Sequence, residues 1–161
     1  MTETAPLERV TRTGSQTWEA PPGRVLPLLT PLGEKAWAAE WEPEMRWQAP
    51  GSGEGTLFVT RSHGPRETVW ILRTFDAAAG RVAYVHVTPG YLVVELSLVL
   101  APLAPNRTRA EIRYTFTALS EEGNARIARM SEPHFAEFMR AWEAELNHFL
   151  VTGRKLRTST G

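Results

Sequence analysis

Cysteine is missing altogether, which excludes a disulfide framework, a thiolate metal site and a cysteine nucleophile. A surplus of charge is missing too, because eighteen Lys and Arg offset eighteen Asp and Glu. Nucleic-acid binding draws much of its affinity from excess basic residues, so no nucleic-acid partner is expected. No stretch approaches the roughly 20 apolar residues of a membrane-spanning helix. The opening MTETAPLERV has neither a basic leader nor an apolar run, unlike a secretory signal, and a cytoplasmic location is the expectation. Phosphate-loop, dinucleotide and nucleophile-elbow fingerprints are absent as well. GSGEG at 51–55 lacks the Lys-Ser/Thr pair and the helical pattern that a phosphate loop needs.

What is present is an ordinary globular composition, 42% apolar and 22% charged over 161 residues, with six tryptophans. The length predicts one domain over 1–161 with a core from about 10 to 153. Its strongest periodic signal is Glu132–Val151. Phe135, Met139, Trp142, Leu146, Phe149 and Leu150 recur on one face of a 3.6-residue period, and Phe138 widens the stripe. Glu137, Arg140, Glu143 and Glu145 lie largely on the other side. Ser131 and Pro133 mark the start of this helix, and Gly153 followed by Arg154, Lys155 and Arg157 marks its end.

Before that helix the chain reads mostly as strands. Arg9–Trp18 is β-branched and ends at Pro21-Pro22-Gly23. The cluster Val25, Leu26, Leu28, Leu29 and Leu32 is interrupted by Pro27 and Pro31, which forbid one long helix. Two short helices at 22–29 and 31–38 are predicted, with Thr30 capping the second. Residues 42–48 alternate poorly. Strands are expected at 56–61, 67–75, 81–88, 91–100 and 107–119, joined by short turns. The last alternates Ala110, Ile112, Tyr114, Phe116 and Ala118 against polar residues, as in an antiparallel sheet wet on one face. Strands segregated from helices indicate an α+β fold. The expected architecture is a curved antiparallel sheet of about seven strands, two short helices after strand 1, and the long C-terminal helix packed on the concave face.

This order, together with RVLPLLTPLGEKAWAAEWEPEM, ETVWILRTF, YTFTALSEEGN and AELNHFLVTG, resembles the START-like or SRPBCC helix-grip superfamily. That superfamily takes in birch-pollen-allergen proteins, lipid-transfer domains and polyketide cyclases, and the likeness is to an uncharacterised bacterial branch spanning roughly Val10 to Gly153. The resemblance implies a pocket for a small hydrophobic molecule such as a lipid, a sterol or an aromatic polyketide. It transfers no catalytic motif.

The pocket is expected to be lined by Trp70, Tyr114, Phe116, Phe135, Met139 and Trp142, with Trp37 and Trp41 at its mouth; plain core packing explains the same aromatics. His86 and Tyr114 are the candidate proton-transfer groups of the rival reading, a cyclase or dehydratase. For His86 this requires its strand parity to point inward, which the residues leave undecided. A filled-core interaction domain is the third reading. Glu34, Glu40 and Glu44 are expected to be solvated, and Glu95 to face outward. No metal site is expected, since His134 and His148 would stand about 21 Å apart on a helix, and no cofactor is implied. Monomer and homodimer stay open, with Val69, Ile71 and Phe75 as a candidate patch on the outer sheet face.

Overall fold

The computed structural model describes residues 6–63 and 65–156. Seven antiparallel strands form one sheet: β1 (Arg9–Trp18), β2 (Glu44–Trp47), β3 (Leu57–His63), β4 (Arg66–Asp76), β5 (Arg81–Thr88), β6 (Leu92–Ala104) and β7 (Arg107–Ala118). Their spatial order is β1-β7-β6-β5-β4-β3-β2, so β2 to β7 form a meander and β1 returns to close against β7. Short tight turns make this order easy to reach, because consecutive antiparallel strands need no crossover.

Helices occupy two places. After β1 come α1 (Pro22–Val25) and two 3-10 turns, Leu26–Leu29 and Gly33–Ala36. After β7 come α2 (Glu121–Arg129) and α3 (Glu132–Thr152). The helices predicted at 22–29 and 31–38 are present as short turns, Pro22–Val25 with Leu26–Leu29 and then Gly33–Ala36; Pro27 interrupts the first ladder and Pro31 separates the two stretches. The helix α2 was not anticipated. Its cap is plain in the structure, where Ser120 accepts the Gly123 N–H, two glutamates fill the first turn and two arginines sit in the last. Its nine residues bury only Gly123 and Ile127, so its apolar signal was too sparse to stand out.

α3 starts and stops as its sequence requires. Ser131 accepts the His134 N–H and Gly153 closes the helix in the left-handed region at φ 73°. Phe135, Met139, Leu146 and Leu150 are its buried residues. They pack with Trp18, Val25 and Leu29 against the inward residues of the sheet, among them Phe58, Leu72, Tyr84, Leu96, Leu98, Ile112 and Phe116. The alternation along β7 is as expected, with Thr108, Ala110, Ile112, Tyr114, Phe116 and Ala118 all buried. β6 runs past residue 100 into the proline-containing segment, with a register shift between Pro102 and Ala104.

α3 also closes one sheet edge. Glu143 accepts the Thr17 N–H at 2.7 Å, while Asn147 donates to the Thr17 carbonyl and accepts the Glu19 N–H, each at 2.9 Å. On the convex face Val69 and Ile71 are exposed. Phe75 instead packs against the core, because a register shift after Leu72 changes the phase of β4.

The 3-10 turns are held down at two points. Tyr84 on β5 donates its hydroxyl to the Leu29 carbonyl at 2.6 Å. Thr30 donates to the Pro27 carbonyl and accepts the Gly33 N–H. Within this elbow a Cβ on Gly33 would lie 1.9 Å from the Pro27 carbonyl oxygen, so no larger residue fits without moving the backbone. Gly33→Ala is expected to destabilise the fold by about 1–3 kcal/mol, as overpacking does. Urea unfolding should show a lower midpoint at unchanged slope, and an unchanged midpoint would contradict the tight elbow.

Candidate functional site

The aromatics do not fill the space between sheet and helix. A cavity of about 250 Å³ remains, walled on three sides. The segment after α1 supplies Glu34, Trp37, Ala38, Ala39 and Trp41. The sheet supplies Trp70 from β4, Tyr84 from β5, Leu96 from β6 and Tyr114 from β7. α3 supplies Phe138, Ala141, Trp142 and Glu145. Strand parity explains the sheet contribution, since Trp70, Tyr84, Leu96 and Tyr114 lie on inward positions of neighbouring strands; Tyr84 pairs with Leu96 and Leu96 with Tyr114.

Ring contacts fix the walls. Trp37 and Trp142 stack with planes 7° apart and centroids 6.4 Å apart. Trp41 stands edge-on to Trp70 at 5.3 Å and to Phe58 at 5.9 Å. Tyr114 meets Phe138 edge-on at 5.7 Å. Such arrangements suit the ring quadrupoles and fix side-chain orientation as well as burying area. Three indoles are further tied by their N–H groups: Trp37 to the Leu28 carbonyl, Trp41 to the Pro31 carbonyl and Trp70 to the Thr60 hydroxyl. The fourth is different. The Nε1 of Trp142 is buried and has no acceptor among the described residues, a cost of about 1–3 kcal/mol for an unsatisfied donor.

Glu34 carries the unusual electrostatics. Part of the residue keeps some exposure, since one of its sides faces the open cavity. Its carboxyl group is nevertheless enclosed, and desolvation raises its pKa from 4.5 to about 8. Burial, reinforced by the nearby Glu34 charge, also pushes the Tyr84 and Tyr114 hydroxyls far up, so both stay protonated. Glu145 is held in the wall by accepting the Ala39 N–H at 3.0 Å. Among the described residues, neither lysine, arginine nor histidine lines the cavity.

Of the residues singled out from sequence, Trp37, Trp41, Trp70, Tyr114 and Trp142 come together here. Phe135 and Met139 stand elsewhere, along a recess between β1 and α3 with Arg12, Glu132 and Arg140. Phe116 is packed in the core, stacked on Tyr114 at 5.7 Å. His86 does share the inward parity of Tyr84, but it stacks on Trp70 at 3.9 Å and lies outside the cavity lining. The expectation that Glu34 is solvated is corrected: the residue is half-buried in the cavity wall, and desolvation raises the pKa of its carboxyl. Tyr84, Phe138 and Glu145 were not singled out as lining residues. For Glu34, a lone acid three residues before Trp37 in an apolar, proline-broken segment was the available signal. For Tyr84 the signal was its place two residues before His86 on an alternating strand.

No protein-family model matches this chain, and no curated protein matches it by sequence. Solved structures do. Norcoclaurine synthase from Thalictrum flavum, in complex with dopamine and hydroxybenzaldehyde, superposes with a TM-score of 0.61 at 12% identity over 94% of this chain and 91% of that one. The Zhui aromatase/cyclase from a Streptomyces species gives 0.62 at 13% identity, over 92% of this chain and 100% of that one. The di-domain aromatase/cyclase BexL gives 0.65 at 15% identity, over 88% of this chain but 46% of that one. At these identities the likeness shows the fold, which is the α+β helix-grip fold.

The raised pKa of Glu34 has a consequence for stability. Between about pH 4.5 and pH 8 the folded chain holds a proton that the unfolded chain has released, so folding stability falls as pH rises through this window. It levels off above. The loss is on the order of a few kcal/mol at most, because the partial exposure of Glu34 leaves it screened by solvent. Glu34→Gln removes this component and should be more stable than the parent at pH 9 while matching it near pH 5. Chemical denaturation at both pH values checks this, and a constant difference between the two proteins would refute it.

Proposed function

We propose that this protein binds a small, largely aromatic or apolar molecule in the cavity between the 3-10 segment, the sheet and α3. The observation carrying this reading is the unfilled space itself. About 250 Å³ is left open amid a wall of four tryptophans and two tyrosines, although interiors normally close-pack. Ligand sites are characteristically concave, mostly apolar and furnished with a few polar groups. Their commonest volumes begin at about 300 Å³, so a ligand of one or two rings suits this cavity better than a sterol or a long acyl chain. Proteins of the same fold include one solved with dopamine and hydroxybenzaldehyde, small aromatic molecules of this scale.

One observation favours a second, catalytic reading. A carboxylic acid with a pKa near 8 is protonated at neutral pH yet able to exchange its proton, which suits general acid–base work. In a cyclase or dehydratase, Glu34 would then take the part first considered for His86, with Tyr114 as a neutral donor beside the ligand. Conversion of an aromatic carbonyl compound by the parent but not by Glu34→Gln would support this reading.

Tryptophan fluorescence tests the binding proposal directly, since four indoles line the site. One- and two-ring aromatic compounds should shift or quench the emission saturably. Ala141→Phe, which puts a ring into the space from the exposed side of α3, should weaken that binding at least tenfold while leaving the unfolding free energy within about 1 kcal/mol of the parent's. Equal affinity in the variant, or no spectral change with any compound, would remove the cavity as the binding site.

A further inference from the structure

Among the described residues, the charged groups lining the cavity are of one sign, Glu34 and Glu145. The nearest lysine in sequence, Lys35, lines an adjoining recess beyond Trp41 with Glu40, Glu42, Glu44, Arg61 and Lys155. Against Glu34 stand Tyr84 from β5, Tyr114 from β7 and Glu145 from α3, all sharing the cavity. His86 on β5 stacks on Trp70 and is not one of the lining residues. An anionic ligand would therefore enter a largely apolar space holding two acids and, among the described residues, no counter-charge to offset its desolvation.

The opposite charge finds what it needs. Aromatic faces attract a cation through the negative face of the ring quadrupole, and tryptophan is the strongest of them. Trp37, Trp41, Trp70 and Trp142 enclose the space, and a carboxyl group sits among them. Accordingly we propose, building on the cavity being a binding site, that its ligand is an organic cation: an ammonium group on an apolar or aromatic body, paired with the Glu34 carboxylate inside the aromatic wall.

Binding then involves a proton. In the empty protein burial holds Glu34 largely protonated at neutral pH. A cation placed beside it favours the ionised form, so a permanently charged ligand displaces the carboxyl proton to solvent: protonated acid plus cation becomes carboxylate–cation pair plus one proton. Affinity for such a ligand rises with pH, up to tenfold per unit while the empty site is protonated, and levels off above about pH 8. Glu145 contributes a field of the same sign but is already engaged by the Ala39 N–H.

The experiment compares three one-ring probes of similar size, which suit a cavity of 250 Å³ since benzene occupies one of about 150 Å³. They are phenyltrimethylammonium, its uncharged isostere tert-butylbenzene, and the anion benzoate. Affinities are read by tryptophan fluorescence at pH 6 and pH 8.5. Calorimetry at pH 7 in buffers of different ionisation enthalpy counts the protons released. The cation is expected to bind at least tenfold more tightly than the isostere at pH 8.5, with the gap shrinking at pH 6, close to one proton released at pH 7, and benzoate weakest. In Glu34→Gln the pH dependence and the proton release should vanish while the isostere still binds. If tert-butylbenzene binds as tightly as the cation at both pH values, or benzoate binds more tightly than either, the charge assignment falls and the cavity remains an apolar binding site. If none of the three binds, the cavity reading falls and this assignment with it.

Discussion

A curved sheet of seven strands presents more concave face than one helix can cover. α3, with 21 residues, spans about 31 Å at 1.5 Å per residue. It lies over the β1 side, where its carboxylate and amide side chains reach the strand backbone. The far part of the concave face must be roofed by something else, and the chain uses the stretch between β1 and β2. Pro27 and Pro31 break that stretch into single turns, which can follow a curved surface where a straight rod could not. The Tyr84 hydroxyl then pins it at the Leu29 carbonyl. A roof made of one long helix and several short turns fits imperfectly where the two meet, and the cavity lies at that seam.

The same seam explains how a carboxylate came to be buried. Glu34 sits on the 3-10 turn Gly33–Ala36, three residues before Trp37, which is buried. Pinning the turn onto the sheet draws in the tryptophan for its area, and the neighbouring acid is carried along to the cavity wall. Together with the Trp142 N–H, which has no acceptor among the described residues, this concentrates two local energetic costs in one place. Such costs collect at functional sites when the rest of the structure over-determines the geometry. Here the over-determination is visible in the ring stacks and in the three indole N–H groups that do have acceptors.

Most of the sheet and α3 were legible in the sequence. β7 follows directly from alternation and β1 from its β-branched residues, and Ser131 and Gly153 bound α3 by cap chemistry alone. The residues left the parity of β5 open, and the register shift in β4 moved Phe75 off the face expected for it. Two further things were not legible. α2 has few buried residues, so its helix rests on capping and charge placement without an apolar stripe. The composition of the cavity wall depends on how three elements far apart in sequence meet. Periodicity assigned Phe135 and Met139 to the same stripe as Trp142, yet that stripe divides lengthwise: Phe135, Met139 and Glu143 flank the β1 recess while Phe138, Trp142 and Glu145 flank the cavity. Glu34 was read from its polarity as solvated; only the fold turns it inward.

The side chains of Glu143 and Asn147 have a role apart from any ligand. A strand at the margin of a sheet offers a row of unused backbone donors and acceptors to any other chain. At β1 the Thr17 N–H and carbonyl and the Glu19 N–H are already occupied from α3. Near the start of the strand Arg12 is drawn across to the Met130 carbonyl. The helix that roofs the interior therefore also acts as a fence along this border. A foreign strand seeking to extend the sheet there must first displace hydrogen bonds that the folded chain makes to itself, so the border is guarded against runaway strand-to-strand assembly.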